Sequence, residues 1–409
     1  MKRVIIVLSF LICNLSVMAQ QPTMIEEVAL ISRAFNTKAD SVLRPILAKN
    51  FSVAAYMGKA ATQCLKYIVG TYQIESLSCK KVSALNENLW VADINILGAK
   101  DTATKFYFNS EGQLLRADLF DRLYEMNRHK TAQKVATIPF DVQDGSIIIT
   151  ATINDSKRPL RLLFDTGSDG MMLSKALADS VGLDVLHRQQ ASVVGGNIKM
   201  EISRDNKIYM NGFVFDRQSI AVFGNTNPKH DGILGNTLAK RYIVDVDYTK
   251  KEIHLYNFGN FSVPNGEHII PVDVSTGNIE MQAELSVTAD KPVKANFIFD
   301  TGAGYELIVF RPLVKKHRLL VDGFKVETTA NTVSMGVSSP VFTGKAARLK
   351  LLPSLTINDF NVTLMGASQA NANWQPETDG SLGIKFISQY NFIINLMDKY
   401  IAFKSIESR

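Results

Sequence analysis

Cysteine is scarce in this chain, with three in 409 residues, and no two of them stand at a zinc-binding spacing. The six histidines are scattered, and none forms the His-Glu-x-x-His pattern that places two metal ligands on one helix face. No metal and no cofactor is therefore expected. A glycine-rich phosphate loop is missing as well. Gly366-Ala367-Ser368-Gln369-Ala370 comes nearest to a nucleophile elbow, but it lacks the final glycine and a strand-to-helix setting. Beyond the amino terminus no run approaches the ~18 uncharged apolar residues of a membrane-crossing helix, so no membrane span is expected. Charge is also modest, at +6 net. The densest basic run, Lys315-Lys316-His317-Arg318, has no interleaved aromatics and reads as a solvated helix face, which gives no reason to invoke nucleic acid.

Met1-Lys2-Arg3, the apolar stretch Val4 to Leu15 and the small residues around Ala19 have the three-part form of a secretory signal peptide over residues 1–19. The mature chain is then expected in the periplasm or outside the cell. Ile12 stands where a lipobox wants a small residue, which argues against a lipoprotein anchored through Cys13. An oxidising compartment leaves two states open for Cys64 and Cys79, a disulfide or two thiols. Residues 20–130 read as an α+β domain. Thr23 to Asn36, Lys38 to Lys49 and Met57 to Thr71 have helical apolar spacing. Ile74 to Ser83, Asn88 to Leu97, Thr104 to Asn109 and Gln113 to Phe120 read as strands, with a hairpin turn at Ser110-Glu111-Gly112. Arg122 to Lys134 reads as a connector. The element order resembles an NTF2-like module, and a binding accessory, a folding aid and a removable prosegment are all compatible with it.

The remainder repeats itself. Phe-Asp-Thr-Gly occurs at Phe164 to Gly167 and again at Phe299 to Gly302, each time at the end of an apolar run. Ile138-Pro139-Phe140-Asp141-Val142 is answered by Ile270-Pro271-Val272-Asp273-Val274, and Asp231-Gly232-Ile233-Leu234-Gly235 by Asp379-Gly380-Ser381-Leu382-Gly383. A period this long is that of a duplicated lobe rather than a solenoid unit, with one lobe over 134–261 and the other over 262–409. Each triplet ends a buried strand in a turn that its glycine permits, so Asp165 and Asp300 fall on rigidly held loops.

Strand, Asp-Thr-Gly, helical segment and later Leu-Gly, in that order and twice, resemble the aspartic peptidases over residues 134–409. The short lobes and the helical stretch Ser174 to Gly182 are most similar to retropepsin-type bacterial aspartyl proteases. The resemblance implies a mostly β, bilobal β-barrel fold with short helices, and an enzyme whose catalytic pair is Asp165 and Asp300 with a water held between them. It also implies that Thr166 and Thr301 brace the two loops, while Gly167 and Gly302 let them approach. Two carboxyls in contact cannot both ionise, so one serves as base and the other as acid. The substrate class is a peptide or protein. Both halves of the pair lie on one chain, so a monomer is expected. Glycosidases also use paired carboxylates but have no need of twin Asp-Thr-Gly turns. The alternative is a secreted peptide- or protein-binding protein that keeps the scaffold without catalysis.

After the triplets the copies differ, with Ser168 in the first and Ala303 in the second. A Ser168 hydroxyl aimed at Asp165 makes that residue the more readily ionised partner and extends activity above strongly acidic pH; the same serine can instead cap a turn. Asp169 either holds substrate backbone, as the resemblance implies, or lies in a surface turn. Gly195 and Gly196 in one hairpin, and Met335 and Gly336 in another, mark candidate flaps over a cleft, or ordinary structural hairpins.

Overall fold

The computed structural model describes residues 24–406 apart from 125, 186, 195, 225–228, 265–267, 290, 335 and 370. The segment read as a signal peptide, together with Gly195 and Met335, lies outside the described residues. Chain contacts divide the molecule into two units, residues 1–131 with 258–260, and 132–257 with 261–409.

In the first unit, helix α1 spans 24–37 and buries Met24, Val28, Ile31 and Phe35, the four-three-four spacing of one apolar helix face. The stretch Lys38 to Lys49 is not the α-helix its spacing suggests. It forms a 3-10 helix over Asp40–Ile46, because Pro45 lacks the amide an α-helical turn requires at that point. A two-strand pairing of β1 (Ser52–Val53) with β2 (Tyr56–Met57) leads into α2 (Gly58–Thr71), which buries Ala61, Cys64, Leu65, Ile68 and Val69. An antiparallel sheet follows in the order β3 (Ser76–Asn86), β4 (Leu89–Leu97), β5 (Ala103–Phe108), β6 (Leu114–Ala117). One apolar core joins this sheet to the helices. The strand expected over Gln113 to Phe120 ends at Ala117, and α3 (Asp118–Leu123) takes its place. Asp118 and Asp121 lie in the first turn of α3, where carboxylates favour a helix start. Asp121 accepts from the Ala54 amide (2.7 Å) and from Arg128 (2.7 Å), which fixes that turn. Cys64 and Cys79 are thiols, with no bond between them.

The second unit is built almost wholly of strands. Its first half runs β7 (Lys134–Pro139), β8 (Asp141–Gln143), β9 (Ser146–Ile153), β10 (Leu160–Asp165), β11 (Met171–Ser174), α4 (Lys175–Ser180), β12 (His187–Val193), β13 (Gly196–Met210), β14 (Phe213–Phe223), β15 (Gly232–Gly235), β16 (Tyr242–Asp247) and β17 (Glu252–Asn257). Its second half runs β18 (His268–Asp273), β19 (Glu280–Ser286), β20 (Pro292–Phe299), β21 (Leu307–Val309), α5 (Arg311–Lys316), β22 (Thr328–Ser334), β23 (Val337–Leu352), β24 (Leu355–Met365), β25 (Gly380–Leu382), α6 (Ile384–Ile387), β26 (Tyr390–Asn395) and β27 (Tyr400–Ser405).

Among the described residues the first half forms a sheet ordered β12-β13-β14-β11-β15-β10-β9-β8, and the second half contains the order β22-β23-β24-β21-β25-β20-β19-β18. The two orders coincide when ten is added to each strand number. Both pair the strand that ends in the triplet in parallel with the strand of the Leu-Gly motif, β10 with β15 and β20 with β25. Asp231 and Asp379 set that register. Asp231 accepts from the Arg161 amide (2.8 Å) and Asp379 from the Asn296 amide (2.9 Å), at matching places on the preceding strands. From β18 the second sheet continues through β27-β26-β16-β17-β7, so three strands from each half share one antiparallel platform, joined where β16 pairs with β26.

Candidate active site

The ends of strands β10 and β20 are apolar because both faces are covered there. Leu162, Leu163 and Phe164 in one strand, and Phe297, Ile298 and Phe299 in the other, are buried. Each strand therefore delivers the aspartate at its end on a stiff support. The threonine that follows is also fully buried, in both copies. The Thr301 hydroxyl accepts from the Thr166 amide (3.0 Å) and donates to the Phe164 carbonyl (2.6 Å). Reciprocally, the Thr166 hydroxyl accepts from the Thr301 amide (3.1 Å) and donates to the Phe299 carbonyl (2.6 Å). Four crossed bonds thus satisfy both threonines and lock the loops together.

This clamp brings Asp165 and Asp300 face to face, and a hydrogen bond links their carboxyls. A Cβ added to Gly167 would collide with the carboxyl of Asp300, and one added to Gly302 with the carboxyl of Asp165. Glycine is required at both places by this close approach. Further donors surround the pair. Asp165 accepts from the Gly167 amide (3.0 Å) and lies against the Ser168 amide. Asp300 accepts from the Gly302 amide (3.0 Å) and the Ala303 amide (2.9 Å). Ser381, a residue 1% exposed at the centre of the second Leu-Gly motif, lies beside Asp300 and favours its charged form.

Burial pushes Asp165 well above the ordinary carboxylate range, and the charge of Asp300 and the bond to it add in the same direction. Burial raises Asp300 as well, but Ser381 and then the Gly302 amide, Asp165 and the Ala303 amide draw it back. Of the two readings of Ser168, the turn is the one its hydroxyl takes. Its hydroxyl donates to the Gly170 carbonyl (2.9 Å) and closes the turn, so that only its amide serves Asp165.

The other candidates are placed as follows. Asp169 is largely exposed, with its side chain 69% accessible, but it is ion-paired to Lys240, whose own side chain is 6% accessible. Asn236, four residues before that lysine, donates to the Gly277 carbonyl of the second half (3.0 Å). Gly196 opens β13 in the hairpin with β12, and Val194 at its tip packs on an apolar cluster of the second half formed by Ile308, Phe310, Val341, Met365 and Trp374. Gly336, with φ +86°, turns the β22–β23 hairpin. Sequence reasoning passed over Ser381, Lys240 and the Trp374 cluster. Of these, Ser381 had a visible signal, since a serine stands where the first motif has Ile233.

Among the described residues no group of three or more His, Cys, Asp or Glu converges to hold a metal ion, and no helix is long and apolar enough to cross a membrane. No curated protein matches the chain. Residues 149–238, which contain Asp165 and the Asp231 to Gly235 motif, match the family model of an aspartyl protease.

Proposed function

We propose that the chain is an exported aspartic endopeptidase, with two lobes derived by duplication, that hydrolyses peptide bonds between Asp165 and Asp300. The observation that carries this reading is the meeting of the two carboxyls, each against the other triplet's glycine and joined to its partner by a hydrogen bond. A pair in contact keeps one proton over a wide pH range, because the second ionisation would place two charges side by side in a poorly solvated site. The ionised member takes a proton from a water whose oxygen adds to the peptide carbonyl carbon. The protonated member gives its proton to the carbonyl oxygen as charge develops there. When the carbon–nitrogen bond breaks, the first carboxyl returns its proton to the departing amine, and a hydroxyl of the tetrahedral species restores the second. The crossed threonines hold this geometry without touching substrate. The amino-terminal leader supports export to the periplasm or the exterior.

Incubating the purified protein with a denatured protein or a peptide mixture between about pH 3 and pH 8, with and without a pepstatin-like inhibitor, tests the reading. Cleavage is expected, with Asp165→Asn and Asp300→Asn each lowering kcat/KM by about 10³-fold or more. Substrate left intact across that range by the unaltered chain refutes hydrolysis and leaves a peptide-binding scaffold.

A further inference from the structure

We propose that the outer edge of β22 is a pairing surface for a second copy of this chain, so that two molecules join through antiparallel β22 strands. The proposal does not depend on the peptidase reading, because each copy holds both aspartates and the edge belongs to the hairpin that β22 forms with β23.

A strand at the end of a sheet leaves a row of amides and carbonyls without a strand partner, and natural sheets blunt such edges with charge, proline or brevity. Among the described residues, the three larger sheets end in β12 and β8, in β22 and β7, and in β3 and β6. Five of these six edges carry such a device. β12 has Arg188, β8 is three residues long and begins at Asp141, β7 has Lys134 and ends in Pro139, β3 has Lys80 and Lys81, and β6 is four residues long with Arg116. β22 has none. Its seven residues, Thr328–Ser334, include no charge and no proline, and they pair with β23 from end to end without a bulge.

Packing does not cover this strand either. Five of its residues are exposed and the other two half-buried, so neither face lies on a core. Val333 is 66% exposed. From Asn331 to Ser334 the strand belongs to a two-stranded ribbon, since its partners Pro340 to Val337 precede the residues of β23 that pair with β24. Two strands alone are marginal in water, and a third stabilises them.

The strand fits its own copy. In the antiparallel register centred on Asn331, which keeps all seven residues paired, Thr328 meets the partner's Ser334, Thr329 the partner's Val333, Ala330 the partner's Thr332 and Asn331 the partner's Asn331. Hydroxyl pairs and β-branched pairs of this kind favour cross-strand contact, and no charge opposes another. The contact is the same patch on both molecules, so it closes at a dimer. Seven residues a side fall short of the about 20–30 of a standard interface, and the dimer is expected to be weak, with a Kd of about 10–100 µM.

Sedimentation velocity of the full chain from about 1 µM to about 300 µM brackets that range. A reversible shift from monomer to dimer is expected. Asn331→Lys and Asn331→Asp each set like charges opposite one another across the two-fold axis, and each is expected to raise Kd by about fivefold or more. The two variants mixed in equal amounts bring opposite charges together and are expected to associate again, which also shows that both are folded. A chain that stays monomeric at the highest concentration, even one that captures an extended peptide on β22, overturns the proposal. A dimer that neither variant weakens, or a mixture that does not associate, overturns it as well.

Discussion

Asp165 and Asp300 share a residue type, a preceding phenylalanine and a following Thr-Gly, and burial pushes both carboxyls above the ordinary range. This has a consequence for stability. A carboxyl whose folded pKa lies above its unfolded value stabilises the fold fully below the unfolded pKa, near 3.9, and loses that contribution as pH rises through the folded value. Asp165, raised well above the ordinary range, therefore becomes a liability at neutral and alkaline pH. Asp165→Asn keeps the shape and cannot ionise. It is expected to raise the Tm at about pH 8 by a few degrees, with the gain vanishing as the pH falls toward about 4. Thermal melts across that interval check this, and a Tm difference that does not vary with pH refutes it. The sequence showed the pair itself plainly, since two intact triplets need no fold to be seen. The parts played by the nearby serines were harder to read. Ser168 and Ala303 stood next to the triplets and drew the inference, but a serine in a tight turn finds the nearest carbonyl first, here Gly170. Ser381 lies 81 residues beyond Asp300 in the numbering, and its relevance depends on β25 lying parallel to β20.

At the scale of elements, local chemistry was legible wherever it was complete within a few residues. Ser174 accepts from the Leu177 amide (3.3 Å) and starts α4 as a side-chain cap. The turn at Gly112, with φ +80°, joins β5 to β6. Misreadings arose where a distant contact or a missing amide decided. Pro45 tightened an apparent α-helix into a 3-10 turn, and carboxylate contacts from Ala54 and Arg128 turned the end of a β-like run into α3. The hairpin β12–β13 also meets a distant partner. Its glycines suggest a flap, and the packing of Val194 on the Trp374 cluster joins two segments far apart in the chain. Val194→Asp places a charge against Ile308, Phe310 and Trp374, which costs more than a hairpin contact can offset. On the peptidase reading, the hairpin then lifts from the second half, and KM rises about tenfold with a smaller change in kcat. Steady-state kinetics on a peptide substrate check this, and an unchanged KM shows that the hairpin does not cover the substrate.

For the whole molecule, chain contacts divide the residues into two units. The first unit has a core of its own, in which Phe35, Phe106, Phe108 and Phe120 are fully buried. Calorimetry is expected to resolve two unfolding transitions, and Phe106→Ala is expected to lower only one of them, at a cost of about 3–5 kcal/mol to that unit. A single transition, moved as a whole by the substitution, refutes independent folding. The order of strands within the second unit could not have been written from the residues, because alternation and apolar runs identify a strand without naming its neighbour. The same is true of the platform, in which β16 meets β26 although almost 150 residues separate them in the chain.

That platform bears on how such an enzyme can be controlled. Since β16 and β26 are hydrogen-bonded within one polypeptide, the two aspartates remain opposed however few molecules a solution contains. On the peptidase reading, mass action at this joint gives no off-switch: dilution is expected to leave activity per molecule constant, and a peptide that imitates β16 or β26 is expected to displace nothing.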